Sequence, residues 1–211
     1  MNTFFACLLL LVSVQLSAQS NQAKTILDKV SEQTKSYKSI TADFDFNMIN
    51  REVDINESNQ GNIIIQDNQY QLSLSGIKIF NNGESQWTYM QDAGEVNISD
   101  AGNQDEGTIN PANIFTIYEE GYNYQYLGDA SFNQRKVYQI ELIPTQEQEF
   151  SKVILEIYRD DYQIAKATMM ANDGNEYEIV IRKMNTEKTY PASTFTFNTS
   201  EYPGVDVIDM R

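Results

Sequence analysis

The sequence predicts a mainly β protein: a single curved antiparallel sheet or barrel of about eleven strands, covered by an N-terminal helix and a short central helix. Three observations predict this class. Short runs of alternating apolar and polar residues fill most of the chain, and such alternation gives a strand one apolar and one polar face. Turn-forming residues separate these runs at close spacing, and one long helical pattern precedes them. No linker or repeat divides the chain, so we expect a single domain over residues 19–211.

Residues 1–18 are typical of a secretory signal peptide. The run from Phe4 to Val14 is almost continuously apolar, and Ser17 and Ala18 offer a small-residue cleavage site. The run is too short for a membrane-spanning helix, which needs about 20 apolar residues. No Lys or Arg precedes it, so only the N-terminal amine supplies positive charge. We expect the chain to be exported, and the alternative is a retained N-terminal anchor.

The composition argues against several kinds of catalysis. The chain contains no His, and its one Cys, Cys7, lies within the predicted signal peptide, so the mature protein would lack imidazole and thiol groups. Catalysis needs a positioned nucleophile or an acid–base pair. Most carboxylates fall on the polar sides of alternating runs, and the acidic pairs at 119–120 and 160–161 fall in turns. We predict that the protein is not an enzyme and has no cofactor; an enzyme built on paired carboxylates is the least favoured alternative.

Charge also restricts the partners. The formal net charge is −15, which argues against binding to nucleic acid and against adsorption to an anionic membrane surface. Asp100, Asn103 and Asp105 are spaced faintly like a calcium loop, but the later bidentate Glu of such loops is missing at the required distance. We therefore interpret residues 100–110 as a solvated loop and predict no metal site.

The first predicted element after the signal peptide is an amphipathic helix over residues 21–37. Ala23, Ile26, Leu27 and Val30 fall near one face of a helix, with charged residues elsewhere. Its apolar face needs a sheet to cover. The strands follow from residue 41 onward, and residues 61–99 form a meander of consecutive antiparallel strands joined by tight turns. Further strands are predicted at 122–126, 137–143, 151–158, 164–171, 177–181 and 191–197.

The candidate site is an apolar surface inside this barrel. Its predicted lining residues are apolar or aromatic side chains on the apolar sides of alternating strands, and a barrel of this strand number is either filled by side chains or holds a ligand. Composition alone does not choose between these alternatives. The predicted lining residues are Phe44, Phe46, Met48, Ile63, Ile65, Tyr70, Leu72, Leu74, Trp87, Tyr89, Tyr138, Ile140 and Leu142.

A short apolar helix is predicted after the loop. Pro111 suits the first position of a helix, Asn110 can cap it, and Gly121 ends it. Its apolar side chains predict a lid over the candidate site, although a helix that closes one end of a filled core is equally consistent with the pattern. The predicted lid residues are Ile114, Phe115, Ile117 and Tyr118.

The order of these elements, together with several motifs, resembles the periplasmic carrier of outer-membrane lipoproteins, the LolA family. The resemblance covers nearly the whole chain after residue 18. Its most specific part is the C-terminal stretch, in which a Phe-x-Phe pattern is followed by Pro-Gly-Val and by an Asp two residues before Arg211. The motifs, in order, are SITADFDF after the first helix, NNGESQWTY (81–89), PANIF (111–115), VILEIYRDDYQI (153–164), NDGNEYEIVI (172–181) and STFTFNTSEYPGVDVIDMR (193–211).

The resemblance implies a monomeric periplasmic protein with a half-open barrel, a helical lid and a hydrophobic interior. The interior would take the acyl chains of a lipoprotein cargo from an inner-membrane ABC transporter and deliver the cargo to an outer-membrane acceptor. One long acyl chain exposed to water costs on the order of 10 kcal/mol, at about 0.8 kcal/mol for each CH₂ group, so a carrier must cover most of it.

The chain departs from the family pattern at one position. Members of the family often gate the lid with an Arg just after the strand that corresponds to residues 61–66, whereas this chain has Gln66, Asp67 and Asn68 there. We therefore expect the gating mechanism to differ. The alternatives are a carrier of another lipid or glycolipid, and a structural envelope protein with a filled core.

Overall fold

The computed structural model describes residues 3–102 and 111–211, and the side chains from residue 19 onward. The side chains of the predicted signal peptide, residues 1–18, therefore lie outside the described part, as do Asn103, Asp105 and Asn110. Within the described residues no helix is long and apolar enough to cross a membrane.

The described chain contains one long helix, three short 3₁₀ helices and twelve strands. The helix α1 spans Thr3–Ser36, and the 3₁₀ helices span Pro111–Phe115, Ala192–Phe195 and Thr199–Glu201. The strands are β1 (Ile40–Asn50), β2 (Ile55–Gln66), β3 (Gln69–Leu74), β4 (Ile77–Asn81), β5 (Ser85–Met90), β6 (Glu95–Asp100), β7 (Tyr122–Phe132), β8 (Arg135–Pro144), β9 (Phe150–Tyr158), β10 (Ile164–Ala171), β11 (Glu176–Asn185) and β12 (Asp206–Asp209).

All twelve strands belong to one open sheet in the order β12-β6-β5-β4-β3-β2-β1-β11-β10-β9-β8-β7. Consecutive strands from β1 to β6 and from β7 to β10 pair antiparallel, whereas β12 pairs in parallel with β6. The strands β12 and β7 are the two edge strands of this order, so the sheet is not closed. The predicted class, a mainly β protein with an incomplete antiparallel sheet and an N-terminal helix, is confirmed, with twelve strands where about eleven were predicted.

The chain divides into two compact units. The helix unit comprises Met1–Ser36 and Phe115–Glu178, and contains α1 and β7 to β10. The meander unit comprises Tyr37–Ile114 and Ile179–Arg211, and contains β1 to β6 and β12. Each unit is therefore assembled from two separate stretches of the chain.

The C-terminal segment differs from the prediction. A strand was predicted over residues 191–197, but the segment forms the 3₁₀ helix Ala192–Phe195, which begins after Pro191. Proline has no N–H to donate to a strand ladder, so Pro191 disfavours a paired strand here. The alternation of Phe195 and Phe197 reflects burial of both rings rather than strand geometry. The last strand is instead β12, whose four residues are all exposed and carry no alternation that could predict it.

The predicted lid is shorter than expected. The segment forms a five-residue 3₁₀ helix, Pro111–Phe115, and Ile117 and Tyr118 follow in a turn. Such helices are usually short because their hydrogen-bond geometry is poorer than that of an α-helix. Ile114, Phe115 and Tyr118 are nonetheless buried, and Gly121 ends the segment with a φ of 83°.

Candidate functional site

One face of the meander unit carries a continuous apolar row. Residues that pair directly across neighbouring strands lie on the same face of a sheet. Ala42 pairs with Ile63, Ile63 with Leu72, and Leu72 with Ile79, so this row crosses four strands. We call this the apolar face. By register its apolar members are Ile40, Ala42, Phe44, Phe46, Met48, Ile63, Ile65, Tyr70, Leu72, Leu74, Ile77 and Ile79; Asn59 and Glu57 lie opposite Phe46 and Met48.

Exposure varies across the apolar face. Phe44, Ile63 and Leu72 are buried. The side chain of Phe44 lies over Gly61, where a Cβ atom would come within 2.4 Å of the ring. The remaining predicted lining residues of β1, β2 and β3 are only partly buried, so the face keeps accessible apolar area. These are Phe46, Met48, Ile65, Tyr70 and Leu74.

Trp87 and Tyr89 lie on the opposite face of the meander unit. Leu72 on the apolar face pairs with Ile79, and Ile79 pairs with Thr88, so Thr88 continues the apolar face on β5. Trp87, which pairs with Phe80 and with Ile98, is the neighbour of Thr88 and therefore lies on the other face. The prediction that these two aromatic residues share one surface with Leu72 is therefore corrected. Alternation within a strand shows which residues share a side, but only the register between strands shows which sides coincide.

The C-terminal segment fills this opposite face. Phe197, Tyr202 and Val205 pack with Phe80, Val96, Trp87 and Tyr89 in one cluster, the aromatic cluster. The rings of Phe197 and Tyr202 stack with their centroids 4.5 Å apart, and those of Tyr89 and Tyr202 are 4.6 Å apart. This face of the meander unit is thus a filled core.

Gln66 stands where the resemblance to the family led us to expect a gating Arg. Its side-chain amide donates to the carbonyl oxygen of Tyr190 at 3.2 Å, and its side-chain oxygen accepts from the backbone N–H of Tyr190 at 2.8 Å. The two bonds join the end of β2 to the segment before the second 3₁₀ helix. A fixed contact within the meander unit therefore occupies this position.

In the helix unit the remaining predicted lining residues lie on the side of α1. Tyr138, Ile140 and Leu142 pair with Ile157, Leu155 and Val153, and all except Tyr138 are fully buried. The helix contacts β7 and buries its own apolar stripe, which consists of Ala23, Ile26, Leu27 and Val30. Ile140 and Leu142 are thus core residues of the helix unit in this conformation.

The other face of the helix unit is polar. Lys166 pairs with Glu178 at 3.1 Å, and Lys152 pairs with Glu141 at 3.2 Å. These side chains are only partly exposed, Glu141 at 17% and Glu178 at 19%, and their charges are neutralised in ion pairs. The apolar side chains of the unit are therefore concentrated on the face that α1 covers.

Cavities border the part of α1 whose side chains the structure describes, and two of them differ in size. The larger, about 480 Å³, is called the Glu119 cavity, and the smaller, about 300 Å³, is called the Tyr162 cavity. Adjacent residues of the helical stripe reach them, since Leu27 lines the first and Ile26 the second. The Glu119 cavity is lined by Lys24, Leu27, Asp28, Ser31, Lys35, Tyr118, Glu119, Glu120 and Tyr124. The Tyr162 cavity is lined by Gln22, Thr25, Ile26, Lys29, Tyr138 and Tyr162.

Glu119 connects α1 with the segment that follows the first 3₁₀ helix. Its carboxylate is 2.9 Å from the ammonium group of Lys35 and accepts a hydrogen bond of 2.9 Å from the hydroxyl of Ser31. The hydrogen bond from Lys35 holds the pKa of Glu119 below its ordinary value. The sequence analysis placed Glu119 in a turn, as observed, but nothing in the pattern indicates its two partners on α1.

The Glu119→Gln variant should be less stable than the wild type at neutral pH by a few tenths of a kcal/mol, since exposed ion pairs contribute about 0–1 kcal/mol. A carboxylate with a lowered pKa stabilises the folded state above its unfolded-state pKa, and that contribution is lost as the pH falls through the lowered folded-state pKa. Urea unfolding at pH 7 and at acidic pH measures the difference. Glu120→Gln is the control, and an equal difference at both pH values would contradict this role.

Solved structures with low sequence identity share this fold. An uncharacterized conserved protein from Thermus thermophilus superposes with a TM-score of 0.62 at 12% identity, covering 89% of this chain and 99% of its own. A putative outer membrane lipoprotein-sorting protein domain from Vibrio parahaemolyticus gives 0.52 at 12% identity, covering 84% and 97%. A DUF1329 family protein from Desulfovibrio piger gives 0.51 at 10% identity, covering 89% and 98%. These likenesses show that the chain shares its fold with the three structures.

The sequence identifies the family. The family described as "Outer membrane lipoprotein carrier protein LolA" matches residues 13–175, which is more than half of the chain. The protein therefore belongs to this family, and the resemblance inferred from the order of its motifs is confirmed. No match was found among curated proteins.

Proposed function

We propose that the protein is a periplasmic carrier that shields the acyl chains of a lipoprotein and moves them from the inner to the outer membrane. The observation that carries the proposal is the apolar face of the meander unit. Its central residues, such as Phe44 and Ile63, are buried, while Phe46, Met48 and Leu74 keep apolar area accessible. A protein face with a buried apolar centre and accessible apolar residues around it suits a flexible apolar guest, because such a guest needs contact area rather than specific hydrogen bonds.

The helix unit supports the same proposal. Its apolar face lies under α1, and the Glu119 and Tyr162 cavities lie beside that helix. Buried apolar residues of the short 3₁₀ segment, such as Phe115 and Tyr118, would exchange their present contacts for contacts with an acyl chain. Such an exchange keeps the net free energy of uptake small, so the cargo can later be released.

The partners follow from this role. The cargo is an acylated lipoprotein, the donor an inner-membrane ABC transporter and the recipient an outer-membrane acceptor. The net charge of −15 disfavours non-specific adsorption to anionic membrane surfaces, which suits a carrier that travels between two membranes. The protein acts as a monomer, without a cofactor and without catalysis.

Binding of a fluorescent fatty acid tests the proposal, with purified lipoprotein as competitor. We expect saturable binding that the acylated lipoprotein displaces and its unacylated form does not. Met48→Asp should weaken binding at least tenfold, because it places a charge where the acyl chain would lie.

Asn47→Asp is a matched control for this experiment. Asn47 neighbours Met48 on β1, is also partly buried, points to the other face and accepts a hydrogen bond from Ser58, which an aspartate preserves. The two variants therefore have the same net charge and differ in the face that carries the new charge. Equal effects of the two, or no binding by the wild type, would refute the proposed binding face.

A second candidate is a carrier of another lipid or glycolipid. The contact of Gln66 with Tyr190 favours it, because the position of the family's gating Arg is used for a different purpose. Extraction of lipids from the purified protein, followed by mass spectrometry, distinguishes the two carriers. A structural envelope protein is the third candidate; it is favoured by the filled aromatic cluster and would bind no probe.

A further inference from the structure

The Tyr162 cavity combines aromatic rings with hydrogen-bonding groups, a combination that binding of acyl chains alone does not need. Helix α1 contributes Gln22, Thr25 and Lys29 to its wall, and these side chains carry an amide, a hydroxyl and an ammonium group. Tyr138 and Tyr162 form the opposite wall. At about 300 Å³ the cavity has the size of a small ligand site.

The two tyrosines of the aromatic wall pack against each other, and a third tyrosine outside the cavity supports them. The rings of Tyr138 and Tyr162 stack with centroids 6.3 Å apart and an interplanar angle of 28°. Tyr126 meets Tyr138 edge to face at 6.2 Å. Tyrosine rings present an apolar surface with a polar tip, so they suit a ligand that has both a flat apolar side and hydroxyl groups.

Backbone strain accompanies the position of Tyr162. Its φ is 55°, a conformation that is unusual for a bulky side chain and persists only where the surroundings enforce it. The turn is held by Arg135, which binds the carboxylates of Asp160 and, at 2.8 Å, of Asp161. The backbone N–H of Tyr162 also donates to the carbonyl oxygen of Tyr158 at 3.0 Å. The ring is therefore held against the cavity.

The cations around the cavity already have anionic partners. The ammonium group of Lys29 is 3.0 Å from Glu32. The guanidinium group of Arg159 lies 5.0 Å from the ring centre of Tyr138 and is hydrogen-bonded to Asp129 at 2.5 Å. A phosphate would have to compete with these carboxylates. The surroundings therefore favour a neutral ligand over an anionic one.

We propose that the Tyr162 cavity binds the neutral, hydroxyl-rich head group, a glycosyl or glyceryl group, of an acylated amphiphile. This inference rests on the proposed function, because the acyl chain supplies most of the binding free energy. The flat side of the head group lies against Tyr138 and Tyr162. Gln22 supplies hydrogen bonds from α1, and the hydroxyl oxygen of Thr25, which donates to the carbonyl oxygen of Asn21 at 2.9 Å, can accept one.

The test uses ligands with the same twelve-carbon chain, each below its critical micelle concentration. Dodecyl maltoside carries a neutral glycosyl head group and lauroylglycerol a neutral glyceryl head group, so the two ligands distinguish these two kinds of head group. Dodecyl phosphate carries an anionic head group. Each competes with a fluorescent fatty acid on the purified full chain. The wild type should bind at least one neutral ligand more tightly than the phosphate.

The Tyr162→Asn variant removes the ring and keeps a residue that tolerates a positive φ. We expect it to bind the preferred neutral ligand five to ten times more weakly, the effect of losing one aromatic contact. Its affinity for dodecyl phosphate should change less than twofold. Tyr177→Asn is the matched control, because Tyr177 contacts Phe150 and does not line the cavity. Gln22→Leu, on exposed α1 surface, provides a second test should Tyr162→Asn fail to fold.

The outcomes separate the inference from the proposed function. If none of the twelve-carbon ligands displaces the fatty acid from the wild type, and the fatty acid itself does not bind, the proposed function fails. If the ligands bind but Tyr162→Asn and Gln22→Leu change nothing, only the head-group site fails. Tighter binding of dodecyl phosphate, lost in Lys29→Gln, would overturn the preference for a neutral head.

Discussion

Replacing Phe197 with alanine should lower the free energy of unfolding by about 3–5 kcal/mol, the usual cost of deleting a buried aromatic side chain. Phe197 stacks on Tyr202, meets Phe80 edge to face at 5.7 Å and lies 5.7 Å from Tyr89. Its removal therefore leaves a void among the rings of the aromatic cluster and weakens the packing of the C-terminal segment, whose strand β12 still pairs with β6. Denaturant unfolding measures the loss.

The chain provides its own reporter for this experiment. Trp87 is the only tryptophan, and it packs against the aromatic cluster. We expect its fluorescence to shift to longer wavelength in Phe197→Ala, because water gains access to the indole. Ile208→Ala is the control, since Ile208 is 42% exposed and its truncation should cost less than about 0.5 kcal/mol. An unchanged emission spectrum together with unchanged stability would show that the cluster does not hold the segment.

Gly61→Ala should destabilise the meander unit by about 1–3 kcal/mol, the cost of overpacking a filled site. A Cβ at this position would lie 2.4 Å from Cζ of Phe44 and 2.9 Å from the carbonyl oxygen of Ser73. The Phe44 ring is fully buried and the Ser73 carbonyl belongs to the backbone, so neither moves easily. Denaturant unfolding again measures the change.

Two further variants test the cause of this effect. Gly102→Ala is the matched control, because a Cβ there meets no atom of the described residues within 4 Å and the residue has no positive φ. Phe44→Leu shortens the side chain that would collide, so the cost of Gly61→Ala should be smaller in that background. A double-mutant cycle gives the coupling free energy between the two positions. Strictly additive costs would show that the two residues do not collide.

The strands could be predicted from the sequence because alternation with a period of two is a local property. Tyr70, Leu72 and Leu74 share a face whatever the rest of the chain does, and their turns are marked by residues that favour positive φ. Which faces of neighbouring strands lie on the same side of the sheet is not a local property. Trp87 and Tyr89 looked like continuations of the same apolar surface, yet the pairing of β4 with β5 places them on the other face.

The candidate site was predictable only in part for the same reason. The apolar residues of β1 to β3 could be found by alternation, and the register brings them together. Glu119 and Tyr162 could not, because a bond from Ser31 to Glu119 joins residues that are distant in the sequence, and the conformation of Tyr162 depends on the ion pairs of its turn. No periodicity records contacts of this kind.

The interleaved order of the two units bears on how the chain folds. The aromatic cluster needs Phe80 and Trp87 from the first stretch of the meander unit, and Phe197 and Tyr202 from the last. Most residues of the helix unit lie between these two stretches in the sequence and are synthesised between them. Contacts between distant segments form slowly, because a long loop must close first. During synthesis from the N-terminus, the aromatic rings on β4 and β5 therefore stay exposed to water until the C-terminal segment has been made. We expect the chain to be most prone to aggregation at this stage.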